Sequence, residues 1–195
     1  MSNDTKTIER LFKLQTKINM MVVDGVRDAE SVADVLQQIL EEKREYLRRL
    51  KTVTLAPTQG SVTLAEAEDV FTGYLDSDFK NWSTDVSGED TNEVTVDVHE
   101  MTRNGTYETL FESLGDPRQL ALSQGQIVEF CRNHRDSLRQ GGYGTFFLFE
   151  VNGVLFVARV LVDVGLLKAR VFRFDDGNVW NADDRRRLVV QQQTV

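Results

Sequence analysis

One cysteine and two histidines are all that 195 residues contain of these types, and each scarcity removes a class of protein. Cys131 has no partner within its own chain, so no intramolecular disulfide framework is expected. The localisation that follows is cytoplasmic, or in a particle assembled in the cytoplasm. With only His99 and His134 beside that thiol, a structural zinc site is not expected. No apolar run approaches the roughly 20 residues needed to cross a bilayer. The opening stretch MSNDTKTIERLFK has no apolar segment ending in small residues, so neither a membrane partner nor a secretory leader is expected. Walker-type loops, GxGxxG, GxSxG and HExxH are missing as well. The expectation is therefore a non-enzymatic protein without cofactor, metal or catalytic residues. There is no internal repeat and no low-complexity tract.

What is present is globular in balance, with 41% hydrophobic and 28% charged residues. The formal charge of −8 is unevenly spread. Residues 62–116 hold 14 acidic and two basic side chains, a net of −12, whereas residues 1–51 are net +1 and residues 117–195 net +3. Phosphates would be repelled by the middle segment, so direct nucleic-acid binding is not expected. The ordinary reading of such a segment is a solvated face. The densest basic cluster, Arg185-Arg186-Arg187, follows Asp183-Asp184 and reads as a self-neutralised turn before a final strand. It could also dock against an acidic surface.

The clearest local signal is FFLFEV, Asn152-Gly153, VLFVARVLVD. Asn-Gly between strand-forming runs predicts a two-residue type I′ hairpin, because both turn positions need positive φ. Pairing Val151 with Val154 places Phe147, Phe149 and Val151 on one buried face with Val154, Phe156, Ala158, Val160 and Val162. Phe146, Leu148 and Glu150 share the other face with Leu155, Val157 and Arg159, which predicts partial cover by a helix or another chain. In a third run Leu167, Ala169 and Val171 alternate with Lys168 and Arg170, the pattern of an edge strand.

Upstream, Ile8, Leu11, Gln15, Ile18 and Val22 recur at helical spacing as a narrow stripe. Val32, Leu36, Ile39, Lys43, Tyr46 and Leu50 repeat it after the turn at residues 24–28, with Asp28 or Ser31 as cap. The prediction is an antiparallel helical hairpin over residues 1–51, a linker over 52–62 and an α+β domain over 63–195. Thr63 and Glu66 suggest a capping box opening a helix that runs to Trp82. Val94, Val96 and Val98 alternate with Thr95, Asp97 and His99, a strand with one wet face. Thr106 opens a short helix ending at Gly115, and Ser123 starts an amphipathic helix carrying Ile127, Val128, Phe130, Cys131 and His134.

Two constellations invite chemistry. Cys131 and His134 lie at i and i+3 on one helix, but Cys131 shares its face with Ile127 and Phe130, so a packed core thiol is the better reading. Asp175, Asp176, Gly177, Asn178, Asn181, Asp183 and Asp184 form an oxygen-rich loop. Its glycine stands at the wrong offset for an EF-hand and no closing glutamate follows, so turn chemistry explains it better. Trp180 in that loop reads as a cover over the core.

NGTYETLFESLG, QIVEFCRNH, FFLFEVNGVLFVARV and FDDGNVW followed by Arg187 give residues 64–190 a resemblance to a group of short uncharacterised proteins of candidate-phylum bacteria and phage-like contexts. The resemblance implies an α+β domain with a C-terminal antiparallel β-meander and carries no activity with it. The helical hairpin lies outside it.

The function expected from these patterns is a structural or interaction protein that oligomerises or docks to a protein partner through the N-terminal hairpin. Its seam would be Ile8, Leu11, Ile18, Val22, Val32, Leu36, Ile39 and Leu50. The alternatives are an acidic decoy that inhibits a nucleic-acid-binding protein and a small enzyme built on Cys131 or the carboxylates.

Overall fold

A computed structural model describes residues 3–34 and 45–192, with side chains over 9–10, 12–34 and 45–192. The chain divides into two units, Met1–Arg44 and Glu45–Val195. In the first, helix α1 spans Asn3–Val23. It ends where the Gly25 N–H donates to the Val22 carbonyl at 3.1 Å with Gly25 at φ +69°, a left-handed stop that glycine takes without penalty. Asp28 then accepts the Ser31 N–H at 2.7 Å and caps a helical run over residues 29–34. The remainder of the expected second arm, with Leu36, Ile39 and Lys43, lies outside the described residues.

The second unit is α+β, built on one seven-stranded mixed sheet. Its strands are β1 (Leu47–Leu55), β2 (Tyr74–Leu75), β3 (Val94–Met101), β4 (Gly144–Val151), β5 (Val154–Asp163), β6 (Leu166–Arg173) and β7 (Arg187–Gln191), in the order β1-β3-β7-β4-β5-β6-β2. The helices are α2 (Asp78–Asn81), α3 (Tyr107–Glu112), α4 (Pro117–Leu120) and α5 (Gln124–Asn133).

The hairpin register is the expected one, with Val151 opposite Val154, Phe149 opposite Phe156 and Phe147 opposite Ala158. Asn152 and Gly153 carry φ of +52° and +79°. Strand β6 continues antiparallel to β5. The chain does not close on an antiparallel meander, however. β7 crosses back to lie parallel to β4 and antiparallel to β3, which makes the sheet mixed. β6 is not an edge either, since Tyr74 and Leu75 of β2 pair in parallel with Lys168 and Ala169.

Both faces of the sheet are covered. Phe147, Phe149, Phe156 and Val160 pack with Leu64, Phe71, Phe79 and with Ile127, Phe130 and Cys131 of α5. On the other face Phe146, Leu148, Val157 and Leu188 pack with Tyr107, Leu110 and Phe111 of α3, with Leu120 and with Trp180. α5 is held by a complete capping box between Ser123 and Gln126, and α3 by Thr106, whose hydroxyl accepts the Thr109 N–H.

Three expectations are corrected. Residues 47–55 form β1, not a helix end and linker, and the unit boundary falls between Arg44 and Glu45. Thr52, Val53 and Thr54 favour a pleated chain, and β3 supplies the ladder. Residues 63–82 do not form one helix. A short 3₁₀ turn at Leu64–Glu66 gives way to β2 and α2. The Thr63 side chain caps nothing, and the Leu64 N–H is taken by the Gln124 side chain at 2.9 Å. Gly73 then donates to the Leu167 carbonyl at 2.8 Å, so contacts with distant elements displace the helical bonds. Asp97 and His99 are not on a wet face: both are buried, with the Thr52 and Arg49 side chains of β1 laid against Asp97.

Gly60 is where this packing leaves least room. A Cβ there would meet the Gly88 carbonyl oxygen at 2.2 Å, while one on Gly88 would meet nothing within 4 Å. Gly60→Ala is expected to lower unfolding stability by about 1–3 kcal/mol, and Gly88→Ala to leave the urea midpoint nearly unchanged.

Candidate functional site

The expected seam is only partly brought together. Ile18, Val22 and Val32 are half-buried, whereas Ile8 and Leu11 lie on α1 with side chains outside the description. Leu50 belongs to β1, where a bulge between Arg49 and Lys51 leaves it 38% exposed. It therefore drops out of the helical seam. α1 presents further apolar side chains to solvent: Phe12 is 66% exposed, Met20 60% and Val23 84%. Leu14 is exposed as well.

In the α+β unit the polar groups gather where the helical cover of the second sheet face stops. At the β1 end, Glu45, Tyr46, Leu47, Arg49, His99, Ser113 and Leu114 line a cleft of about 210 Å³. Arg49 stands opposite His99 in the β1–β3 ladder. Asp97, two residues along β3, accepts the Thr52 hydroxyl at 2.6 Å and faces the Arg49 guanidinium at 3.5 Å. The His99 Nδ1 is buried without a partner among the described residues. Burial holds the His99 imidazole below its usual value, opposed by the Asp97 charge and assisted by Arg49.

At the β5–β6 end, Trp180 is the centre of a second cluster. Its ring lies 5.3 Å from Tyr107 and 5.1 Å from Phe146 between centroids. The guanidinium carbons of Arg159 and Arg186 sit 5.2 and 4.8 Å from it. Trp180 thus covers the core as expected. Yet its Nε1, the Tyr107 hydroxyl and the Nε atoms of Arg159 and Arg186 are all buried without hydrogen-bond partners among the described residues. Arg186 also pairs with Asp184, and Arg187 donates to the Ser137 carbonyl at 2.7 Å. The basic cluster is therefore largely engaged inside the fold. The signal for this site was one charged residue, Arg159, set in the apolar run VLFVARVLV. Its neighbours across the sheet could not be known without strand order.

The Cys131 thiol is wholly buried and is pushed well above its usual value by that burial. His134 is the residue that ends α5 and stacks beside Phe130 at 5.6 Å. In the oxygen-rich loop Asp176 accepts the Asn178 N–H and Asn181 the Asp183 N–H, each at 3.0 Å, so these oxygens shape turns. Among the described residues, no helix is long and apolar enough to cross a membrane.

No family model matches the chain, and neither curated proteins nor solved structures provide a match. The class that the fold defines is an α+β domain on a seven-stranded mixed sheet, preceded by a separate helical unit.

Two outcomes are expected. Because the folded His99 imidazole titrates below its unfolded value, its neutral form is retained in the folded state while the unfolded chain takes up a proton. Stability is therefore full above the ordinary value of 6.5 and falls as pH drops from there towards the lower folded value. Urea denaturation at a series of pH values checks this, and His99→Gln should flatten the slope. Iodoacetamide should label Cys131 only under denaturing conditions, as read by mass spectrometry; rapid labelling of the folded protein contradicts its burial.

Proposed function

We propose that this chain is a non-enzymatic interaction protein that self-associates through its N-terminal helical unit, the α+β domain being the body so assembled. The observation that supports the reading is α1 itself, a 21-residue helix whose Phe12, Leu14, Met20 and Val23 are all exposed. Apolar side chains of this size in water favour burial against another chain. Ile18, Val22 and Val32 begin the seam, and an antiparallel hairpin completed by the second arm would extend it. A homo-oligomer is the simplest occupant, because the same stripe on a second copy supplies a matching apolar surface.

The decoy reading draws less support. Asp69, Asp97 and Glu100 of the acidic segment are each paired with an arginine: Arg132, Arg49 and Arg48. Asp90 and Asp116 accept backbone N–H groups of Gly60 and Arg118. Three of the fourteen carboxylates in that segment are thus offset by an arginine of the same chain.

Sedimentation equilibrium tests the proposal. The full chain should sediment as a multiple of 22.2 kDa, and a chain beginning at Glu45 as a monomer. Phe12→Glu and Ile18→Glu, in the full chain, should each weaken association roughly tenfold or more, the effect of losing one or two buried apolar side chains. A monomeric full chain at high concentration would remove the idea.

A further inference from the structure

We propose that the surface around Arg159, where the cover of the second sheet face ends, is a binding site for a small phosphorylated ligand held by Arg159, Arg170 and Arg186. Arg159 and Arg170 stand directly opposite each other in the β5–β6 ladder, so both side chains rise from the same face. Like charges in that position destabilise a sheet. Here no carboxylate relieves them: among the described residues neither arginine forms an ion pair.

The surroundings orient the cations without neutralising them. Arg159 lies against the Trp180 and Phe172 rings, 5.2 and 5.7 Å from their centroids, and Arg170 lies over Tyr74 at 5.5 Å. Gly144 adjoins the arginine stem: a Cβ there would stand 3.0 Å from Arg159 Cγ and crowd it by a few tenths of an ångström. Arg186 reaches the same indole and is shared with Asp184. Burial depresses the Arg159 basicity above all; Tyr107 opposes the shift, and the charges of Arg170 and Arg186 add to it.

Among the described residues, the Nε of Arg159 and of Arg186, the Trp180 indole N–H and the Tyr107 hydroxyl are unpaired but buried, so a ligand meets the guanidinium ends and not these atoms. Guanidinium groups with excess positive charge call for a ligand made of acceptors and negative charge. A phosphate supplies both, and guanidinium forks match its oxygens. Three guanidinium groups against one partly shared carboxylate favour a dianion over a single carboxylate. The net charge of −8 favours a small ligand over a polyanion, which the rest of the surface would repel.

The test uses the full chain carrying Trp82→Phe, so that Trp180 is its one tryptophan, titrated with inorganic pyrophosphate and followed by indole fluorescence. A saturable change is expected, absent with sodium chloride at matched ionic strength. Arg159→Gln should weaken it roughly tenfold or more. Arg170→Gln, an exposed position whose loss leaves the core intact, should do the same, and Arg103→Gln should not. No response beyond the chloride control, or unchanged affinity in Arg170→Gln, overturns the site. An oligonucleotide that binds as tightly at equal phosphate concentration overturns the small-ligand assignment.

Discussion

The β4–β5 hairpin is apolar on both faces, and this constraint organises the rest of the domain. Phe146 and Phe147 are consecutive, point to opposite sides of the sheet, and are both fully buried. A strand of this kind cannot sit at an edge or leave a face to water, because several large side chains would remain hydrated. It needs neighbours on both sides and a layer above and below. β5 and β7 supply the neighbours. α5 with the 64–79 segment supplies one layer, and α3, α4 and Trp180 supply the other.

The two layers are unequal. α5 is a ten-residue helix with a full capping box, and the face beneath it is closed by aliphatic and aromatic packing such as the 5.3 Å contact of Phe130 with Phe147. The opposite layer is assembled from two short helices and one indole, so it runs out before the sheet does. Polar side chains occupy the margins it leaves: His99 and Arg49 near β1, Arg159 and Arg170 towards β6. Groups there are deprived of water without being given protein partners, which is why the unpartnered His99 Nδ1 and Arg159 Nε occur at the two ends of one incomplete cover.

Local chemistry was legible wherever a few adjacent residues decide the backbone. Asn152-Gly153 specified the turn and, through it, the register of eight residue pairs. Thr106 and Ser123 announced helix starts because a side-chain oxygen reaches an amide three residues on. The reading failed where a distant partner outbid the local preference. Residues 63–82 carry helical spacing, and Val70, Phe71 and Phe79 are buried as that spacing implies, while Tyr74 and Trp82 are exposed. Gln124 and the β6 backbone nevertheless take their hydrogen bonds. The alternation around Asp97 likewise marked a strand correctly, but alternation says nothing about what covers the second face.

The amino-acid sequence by itself determined the apolar content of each segment, the hairpin with its register, the main caps and the separate helical character of α1, since these depend on neighbours within about four residues. Only the tertiary structure decided that β7 lies between β3 and β4 and that residues 47–55 join the sheet. It alone set Arg159 and Arg186 over one tryptophan. Those outcomes depend on which elements close over the two-faced hairpin, a competition among contacts far apart in the chain that no local pattern encodes.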